Sequence, residues 1–120
     1  MASQTSTHIR TGQNGEDMAV RHLQRSGYVI LHRNYRYKRA EVDIIAQKGQ
    51  LLVFVEVKTR STDAYGYPEE AVGAKKEALL LAAAAAYVEQ QDWQHDMRFD
   101  IIAVTLGAPP VVHHIEDAFH

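Results

Sequence analysis

The chain has 120 residues, no cysteine, and 46% hydrophobic against 23% charged residues, the balance of a single globular domain. That composition excludes collagen-like, coiled-coil and wholly disordered chains, disulfide scaffolds, thiolate zinc sites and cysteine nucleophiles. Net charge is only −2, but residues 1–60 hold ten Lys/Arg against five Asp/Glu, and residues 61–120 hold three against ten. The split points to one basic face and a polyanionic partner; the plain alternative is clustering in sequence that the fold mixes again.

Residues 1–11 read as a flexible tail ahead of one domain over residues 12–120. The spacing predicts a helix from about Gly12–Glu16 to Ser26, with Ala19, Val20 and Leu23 as its apolar stripe and Gly27 just past its end. Tyr28 to Leu31 reads as a strand, followed by a polar, basic and aromatic stretch, His32 to Lys38. Glu41 to Ala46 and Leu51 to Lys58 read as two strands joined by a turn at Lys48-Gly49. Ser61 to Pro68 is a loop, and the Ala/Leu/Glu/Lys-rich stretch from Ala74 to Gln91 is a helix. Arg98 to Leu106 is a strand, Gly107 to Pro110 breaks it, and Val111 to Ile115 forms a last one. The expected fold is α/β, a central mixed β-sheet flanked by helices in the order αβββαββ. The longest apolar run, Ala78 to Val88, has 11 residues, too few to span a bilayer. The polar N-terminus lacks the apolar core of a signal peptide, so no membrane and a cytoplasmic location are expected.

The chemistry concentrates between Ala40 and Arg60. Side chains on a strand alternate between faces, so Glu41 and Asp43 share a face of their strand, and Phe54, Glu56 and Lys58 share a face of theirs. A two-residue Lys48-Gly49 loop sets Asp43 opposite Phe54 and Glu41 opposite Glu56, with all four charged side chains on one face; a one-residue slip destroys this. The strands around them are otherwise apolar. Carboxylates crowded there repel one another and are costly unless something binds them. Mg²⁺, with Mn²⁺ as a substitute, takes oxygen ligands and is commonly held by one or two carboxylates plus phosphate. Lys58 supplies a positive charge beside such an ion. Glu-x-Lys alone is common on surface hairpins; the phase of Glu-x-Asp, turn and Glu-x-Lys is what points to a site. Glu16 lies on the apolar stripe of the first helix, where an acid faces the sheet; the plain alternative is a first-turn Glu favoured by the helix dipole.

His32 to Arg39 holds four cations, two tyrosines and no acid. Cations contact phosphates and aromatics stack on bases, so Arg33, Arg36, Lys38 and Arg39 are candidate nucleic-acid contacts, with Arg60, Lys75 and Lys76 extending the track. The alternative is a solvated strand and loop. His113-His114 with Glu116 suggests zinc, but adjacent residues on a strand face opposite ways. Trp93 and the Ala82–Ala86 run are read as packing features. No Gly-rich phosphate loop and no Ser-His-Asp set is present.

Several motifs together resemble the YraN family: Gly-x-x-Gly-Glu at Gly12 to Glu16, Gly27-Tyr28, Arg33 to Arg36, Glu41 to Ala46, Val53 to Arg60, Gly66, Glu70-Ala71-Val72, Lys76, and Arg98 to Asp100. The likeness runs from about Gly12 to Phe119. That family is similar to the restriction-endonuclease-like superfamily, and to archaeal-type Holliday-junction resolvases in particular. The resemblance implies that a helix Glu, a strand Asp and a Glu-x-Lys triplet bind Mg²⁺ and cut phosphodiesters, roles that fall on Glu16, Asp43, Glu56 and Lys58. Glu41 belongs to the family's own pattern and is secondary. Ala40 stands where the family usually has Gly. The expected function is a metal-dependent endonuclease, a hydrolase acting on DNA ahead of RNA, on branched or single-stranded forms, with a homodimer left open. The alternatives are a nucleic-acid-binding module without catalysis and a protein-interaction domain whose acids form surface ion pairs.

Overall fold

The structure, a computed structural model, describes residues 7–61 and 73–119. Its elements are α1 (Thr7–Arg25), β1 (Val29–Tyr37), β2 (Ala40–Lys48), β3 (Leu51–Arg60), α2 (Ala74–Gln90), β4 (Asp96–Thr105) and β5 (Val111–Ile115). The five strands form one sheet in the order β1-β2-β3-β4-β5. Pairing is antiparallel except between β3 and β4, which run parallel and are joined through α2. The sheet is therefore mixed, as expected for an α/β fold. Gly66 and Glu70-Ala71-Val72, and most of the loop expected over Ser61 to Pro68, lie outside the described residues.

The two helices cover opposite faces. Ala19 and Leu23 of α1 pack with Ile44, Val53, Val55, Ile102 and Val104. Leu80, Ala83, Ala84 and Tyr87 of α2, at helical spacing, pack with Ile45, Leu52 and Phe54. Trp93 packs beside the second cluster and donates its indole N–H to the Asp96 carbonyl at 2.8 Å. Among the described residues no helix is long and apolar enough to cross a membrane.

α1 starts at Thr7, upstream of the start expected at Gly12–Glu16, so residues 7–11 belong to the helix and not to a tail. Gly15 does not break it, because its bare Cα serves close packing: a Cβ there would overlap the Thr59 side chain. The far end follows expectation. Gly27 has φ +95, Tyr28 N–H bonds to the Leu23 carbonyl and Gly27 N–H to the Gln24 carbonyl. That double bond is the Schellman arrangement, with Leu23 and Tyr28 both buried in the core behind it.

The hairpin register needs a correction. Lys48 pairs with Leu51, Gln47 with Leu52 and Ile45 with Phe54, so the loop is Gly49-Gln50 and not Lys48-Gly49. Gly49 has φ +60 while Gln50 is absent from the positive-φ residues, which is the pattern of a turn with Gly first. An expected loop beginning at Lys48 would have needed that conformation from a lysine. β2 gains Lys48 and β3 gives up Gln50, a shift of two in the pairing, so the faces keep their parity. The opposed pairs expected between Asp43 and Phe54 and between Glu41 and Glu56 are replaced.

Candidate acidic site and a buried arginine–aspartate cluster

β2 and β3 pair only as far as Ile44 and Val55, whereas β2 stays paired with β1 down to Ala40 and β3 with β4 up to Arg60. The two strands therefore part at Asp43. Alternation also fails there: Val42 packs on the α2 side and Ile44 on the α1 side. A matching break occurs in β1 at Asn34, whose φ is +55. The Asp43 side chain bridges the gap, its Oδ2 accepting the Val57 N–H at 2.7 Å. A carboxylate thus takes the place of a ladder bond.

The parting opens a cavity of about 290 Å³ whose polar wall is Glu41, Asp43, Glu56 and Lys76, with Leu79 and Leu80 of α2 opposite. Glu56 is 5% exposed. Its Oε2 pairs with Lys76 Nζ and lies 3.4 Å from Lys58 Nζ. Burial and then the Glu56 charge push the Asp43 carboxyl from the usual 3.8 up to about 7, against the opposing Val57 hydrogen bond. A displacement of that size corresponds to roughly 4 kcal/mol against the ionised form. Lys76 is raised: burial works against its charge, but the hydrogen bond and charge of Glu56 outweigh it.

The structure thus brings Asp43, Glu56, Lys58 and Glu41 together. Glu41 also faces outward, 3.8 Å from Arg36. Glu16 is not in the cavity wall. Its Oε1 accepts from Arg33 at 2.9 Å and from Asn34 at 3.3 Å. Its charge still reaches Asp43 and helps to raise it. Of the basic residues, Arg33 is held by Glu16 and Asp17 and Lys76 by Glu56. Arg36 is 76% exposed, the Lys38 Nζ sits 5.4 Å from the Tyr37 ring centre, and Arg39 lines the cavity mouth. Arg60 closes β3 opposite Thr105. Lys75 is exposed at the start of α2.

Among the described residues no group of three or more His, Asp or Glu converges tightly enough to hold a metal. The donor set is two carboxylates, Asp43 and Glu56. That fits Mg²⁺, which keeps most of its waters and needs only one or two protein carboxylates.

A second charged cluster lies toward α1 and β5. Asp100 is fully buried. It accepts two bonds from Arg98 at 2.8 Å, one from the Asp117 N–H at 3.1 Å and one from His114 Nε2 at 2.7 Å. Arg98 also donates to the Tyr28 hydroxyl at 2.9 Å. Burial alone would raise Asp100, but the bonds from His114, Arg98 and Asp117 hold it below the usual carboxylate range. On its other side the His114 ring meets a second histidine, its Nδ1 lying 3.0 Å from His22 Nε2. Sequence reading gave this cluster no role. The signal was present: Arg98 and Asp100 are two apart in a strand, hence on one face, inside an otherwise apolar run.

Comparison with known sequences places these features in a family. A sequence model for the family described as "Uncharacterised protein family UPF0102" matches residues 15–104. The chain belongs to the UPF0102 family. This is the YraN family that its motifs resemble. Among UPF0102 relatives, a protein of Flavobacterium johnsoniae is 46% identical over 118 residues, covering 94% of this chain and 96% of its own length. One from Christiangramia forsetii is 45% identical over 113 residues, covering 93% and 95%. One from Syntrophus aciditrophicus is 40% identical over 121 residues, covering 99% and 95%. The UPF0102 match begins at Gly15 and ends at Val104, so it takes in Glu16, the acidic cavity and the Arg98–Asp100 pair.

Proposed function

We propose that this protein is a metal-dependent nuclease of restriction-endonuclease-like fold that hydrolyses phosphodiester bonds in DNA. One observation carries the reading: the buried Glu56 and the half-buried Asp43 line one cavity where β2 and β3 part, and Asp43 is held there at the cost of its charge, with a carboxyl raised to about 7. A group raised by burial and a like charge in a cleft marks a functional site. The resemblance of Glu41-Val42-Asp43 and Glu56-Val57-Lys58 to archaeal-type resolvases supplies the reaction class.

Asp43 and Glu56 are the residues that would hold Mg²⁺ or Mn²⁺, and the ion would supply a water of lowered pKa and neutralise phosphate charge. Lys76, which pairs with Glu56, and Lys58, 3.4 Å from the same carboxylate, are the cations that would stabilise charge growing on a phosphoryl group at this site. Glu16 acts at a distance, holding Arg33 and Asn34 at the kink of β1. Arg36, Lys38 and Arg39 edge the mouth and suit a phosphate backbone.

The test is incubation of the full chain with labelled branched, single-stranded and duplex DNA in Mg²⁺, Mn²⁺ or EDTA. Cleavage that needs the metal and disappears in both Asp43→Asn and Glu56→Gln is expected. DNA binding without metal-dependent cleavage would overturn the nuclease in favour of the binding module. One observation favours that second reading: the Lys76–Glu56 pair already satisfies a carboxylate that a metal would otherwise hold.

A further inference from the structure

Beside the acidic cavity lies a second hollow of about 210 Å³, bounded by Tyr37, Lys38, Arg39 and Ala40 from the β1–β2 turn and by Leu79 and Ala82 from α2. Arg39, Ala40 and Leu79 line both. The two differ in chemistry. The first presents three carboxylates, an ammonium and the Arg39 guanidinium, whereas the second is lined by a tyrosine, two alanines and a leucine together with Lys38 and Arg39, and by no acid. Among the described residues Lys38 and Arg39 meet no acid; Lys38 lies over Tyr37 instead. An apolar hollow, an aromatic wall and unneutralised cations at the edge form the combination that accepts a base and its phosphate together.

We infer that this hollow is a base subsite: it takes one unpaired nucleobase of the DNA strand whose phosphate enters the neighbouring acidic cavity. The inference rests on the nuclease reading above and names its substrate class, strands with bases free of a duplex stack. Three features fit a nucleobase better than a protein side chain. The hollow shares a wall with the acidic cavity, so an occupant of both must carry an anionic and a flat apolar part in succession. The positive rim matches a phosphate backbone. The Tyr37 ring offers a π surface to any base, so no particular sequence is selected. In a continuous duplex the bases are stacked and paired and cannot enter, and extruding one costs a few kcal/mol. A strand end, a bulge or a branch point supplies an unpaired base without that cost.

Ala82 is exposed on α2, so it can be enlarged without disturbing the core. Ala82→Phe fills the hollow and leaves Asp43, Glu56 and Lys58 in place; Ala82→Ser is the small control. Tyr37→Phe keeps the ring, and Tyr37→Leu removes it. Binding is read by fluorescence anisotropy in EDTA, with a single strand, a matched duplex and the same duplex carrying one bulged base. The wild-type chain should bind the single strand and the bulged duplex about tenfold more tightly than the matched duplex. Ala82→Phe and Tyr37→Leu should erase that preference, while Ala82→Ser and Tyr37→Phe keep it; the Ala82 variants keep the melting temperature, and Tyr37→Leu, whose ring packs on the core, is compared well below its own melting temperature. Equal losses on paired and unpaired DNA overturn the subsite. So does a dimer that Ala82→Phe disrupts while DNA preference persists, since the hollow then belongs to a second copy of the chain. Cleavage in Mn²⁺ is scored separately. Metal-dependent cleavage that Asp43→Asn abolishes, with no preference for unpaired bases, overturns the subsite and leaves the nuclease standing. A preference that Ala82→Phe erases, without cleavage on any substrate, upholds the subsite and overturns the nuclease.

Discussion

Asp43 and Asp100 are carboxylates set in apolar strands of one sheet, and the protein treats them in opposite ways. Asp100 is fully buried and receives donors from Arg98, His114 and the Asp117 backbone, so its charge is kept despite burial. Asp43, half-buried, receives one backbone donor and faces the buried acid Glu56, so its charge is opposed. A buried charge with its partners in place is structural: it fastens β4 to β5 and to the end of α1. One left short of partners is poised to accept one. The contrast lies in what surrounds the two groups, since the side chains are the same.

The largest effect should come from spoiling the satisfied cluster. Asp100→Asn sets a neutral amide in a fully buried position against the half-buried Arg98 charge and should cost about 3 kcal/mol in chemical denaturation. A variant as stable as the wild type would erase the contrast.

The opposite sign is expected at the acidic cavity. Because the Asp43 carboxyl is raised to about 7, the folded state keeps a proton that the unfolded state has released above the usual 3.8. Stability therefore falls as pH rises from about 4 to 7. Asp43→Asn removes that dependence and should melt higher than the wild type at pH 8, by about 1–3 kcal/mol once solvent screening and relaxation are allowed for. The gain should vanish near pH 4. Millimolar Mg²⁺ or Mn²⁺ should stabilise the wild type and not the variant, since only native-state binding shifts the equilibrium. A loss of stability in Asp43→Asn, with no response to metal in either chain, would mean that Asp43 is an ordinary ion-pair partner.

A smaller pH effect of reversed direction belongs to the other cluster. His22 is lowered, first by burial and then by His114 and Arg25. Its folded form takes up a proton less readily than its unfolded form, so stability falls as pH drops below 6.5. The charged and titratable groups acting on it are His114 on β5 and Arg25 on its own helix. His22→Gln should flatten the profile below that pH, where one proton is worth at most about 1.4 kcal/mol per pH unit. An unchanged slope would locate the acid sensitivity elsewhere.

The smallest effect concerns the cavity mouth. Arg36→Ala with Lys38→Ala should weaken binding to all DNA sequences alike and lower the slope of log Kd against log salt by about one per lost phosphate contact. Arg33→Ala should instead act through the fold, because Arg33 is engaged with Glu16 and Asp17. If Arg33 alone changed the salt slope, the basic face would have to be redrawn around α1.

Periodicity and local chemistry made much of this molecule legible. The Ala19–Leu23 stripe, the Gly27 cap, the alanine-rich helix and the final strand from Val111 to Ile115 each depend on residues within a turn or two of one another. So does the shared parity of Asp43 with Glu56, which survives the corrected register because the loop moves both strands together. The sequence also pointed to the family through strings such as Val53 to Arg60. What it did not disclose depends on partners far apart in the chain. The start of α1 at Thr7 lies upstream of the expected Gly12–Glu16, and the close approach of Gly15 to Thr59 joins residues far apart in the chain. The turn at Gly49-Gln50 was missed by one position because backbone sign, and not charge, decides which residue leads. Arg33 and Lys76 read as free cations because Glu16, Asp17 and Glu56 reach them from other elements. Asp100 read as one more strand residue because Tyr28, Arg98, His114 and Asp117 meet around it only when β4, β5 and α1 close together. Local spacing sets which face a side chain leaves by; long-range closure decides whether a partner is waiting there, and with it whether a buried acid becomes a brace or a site.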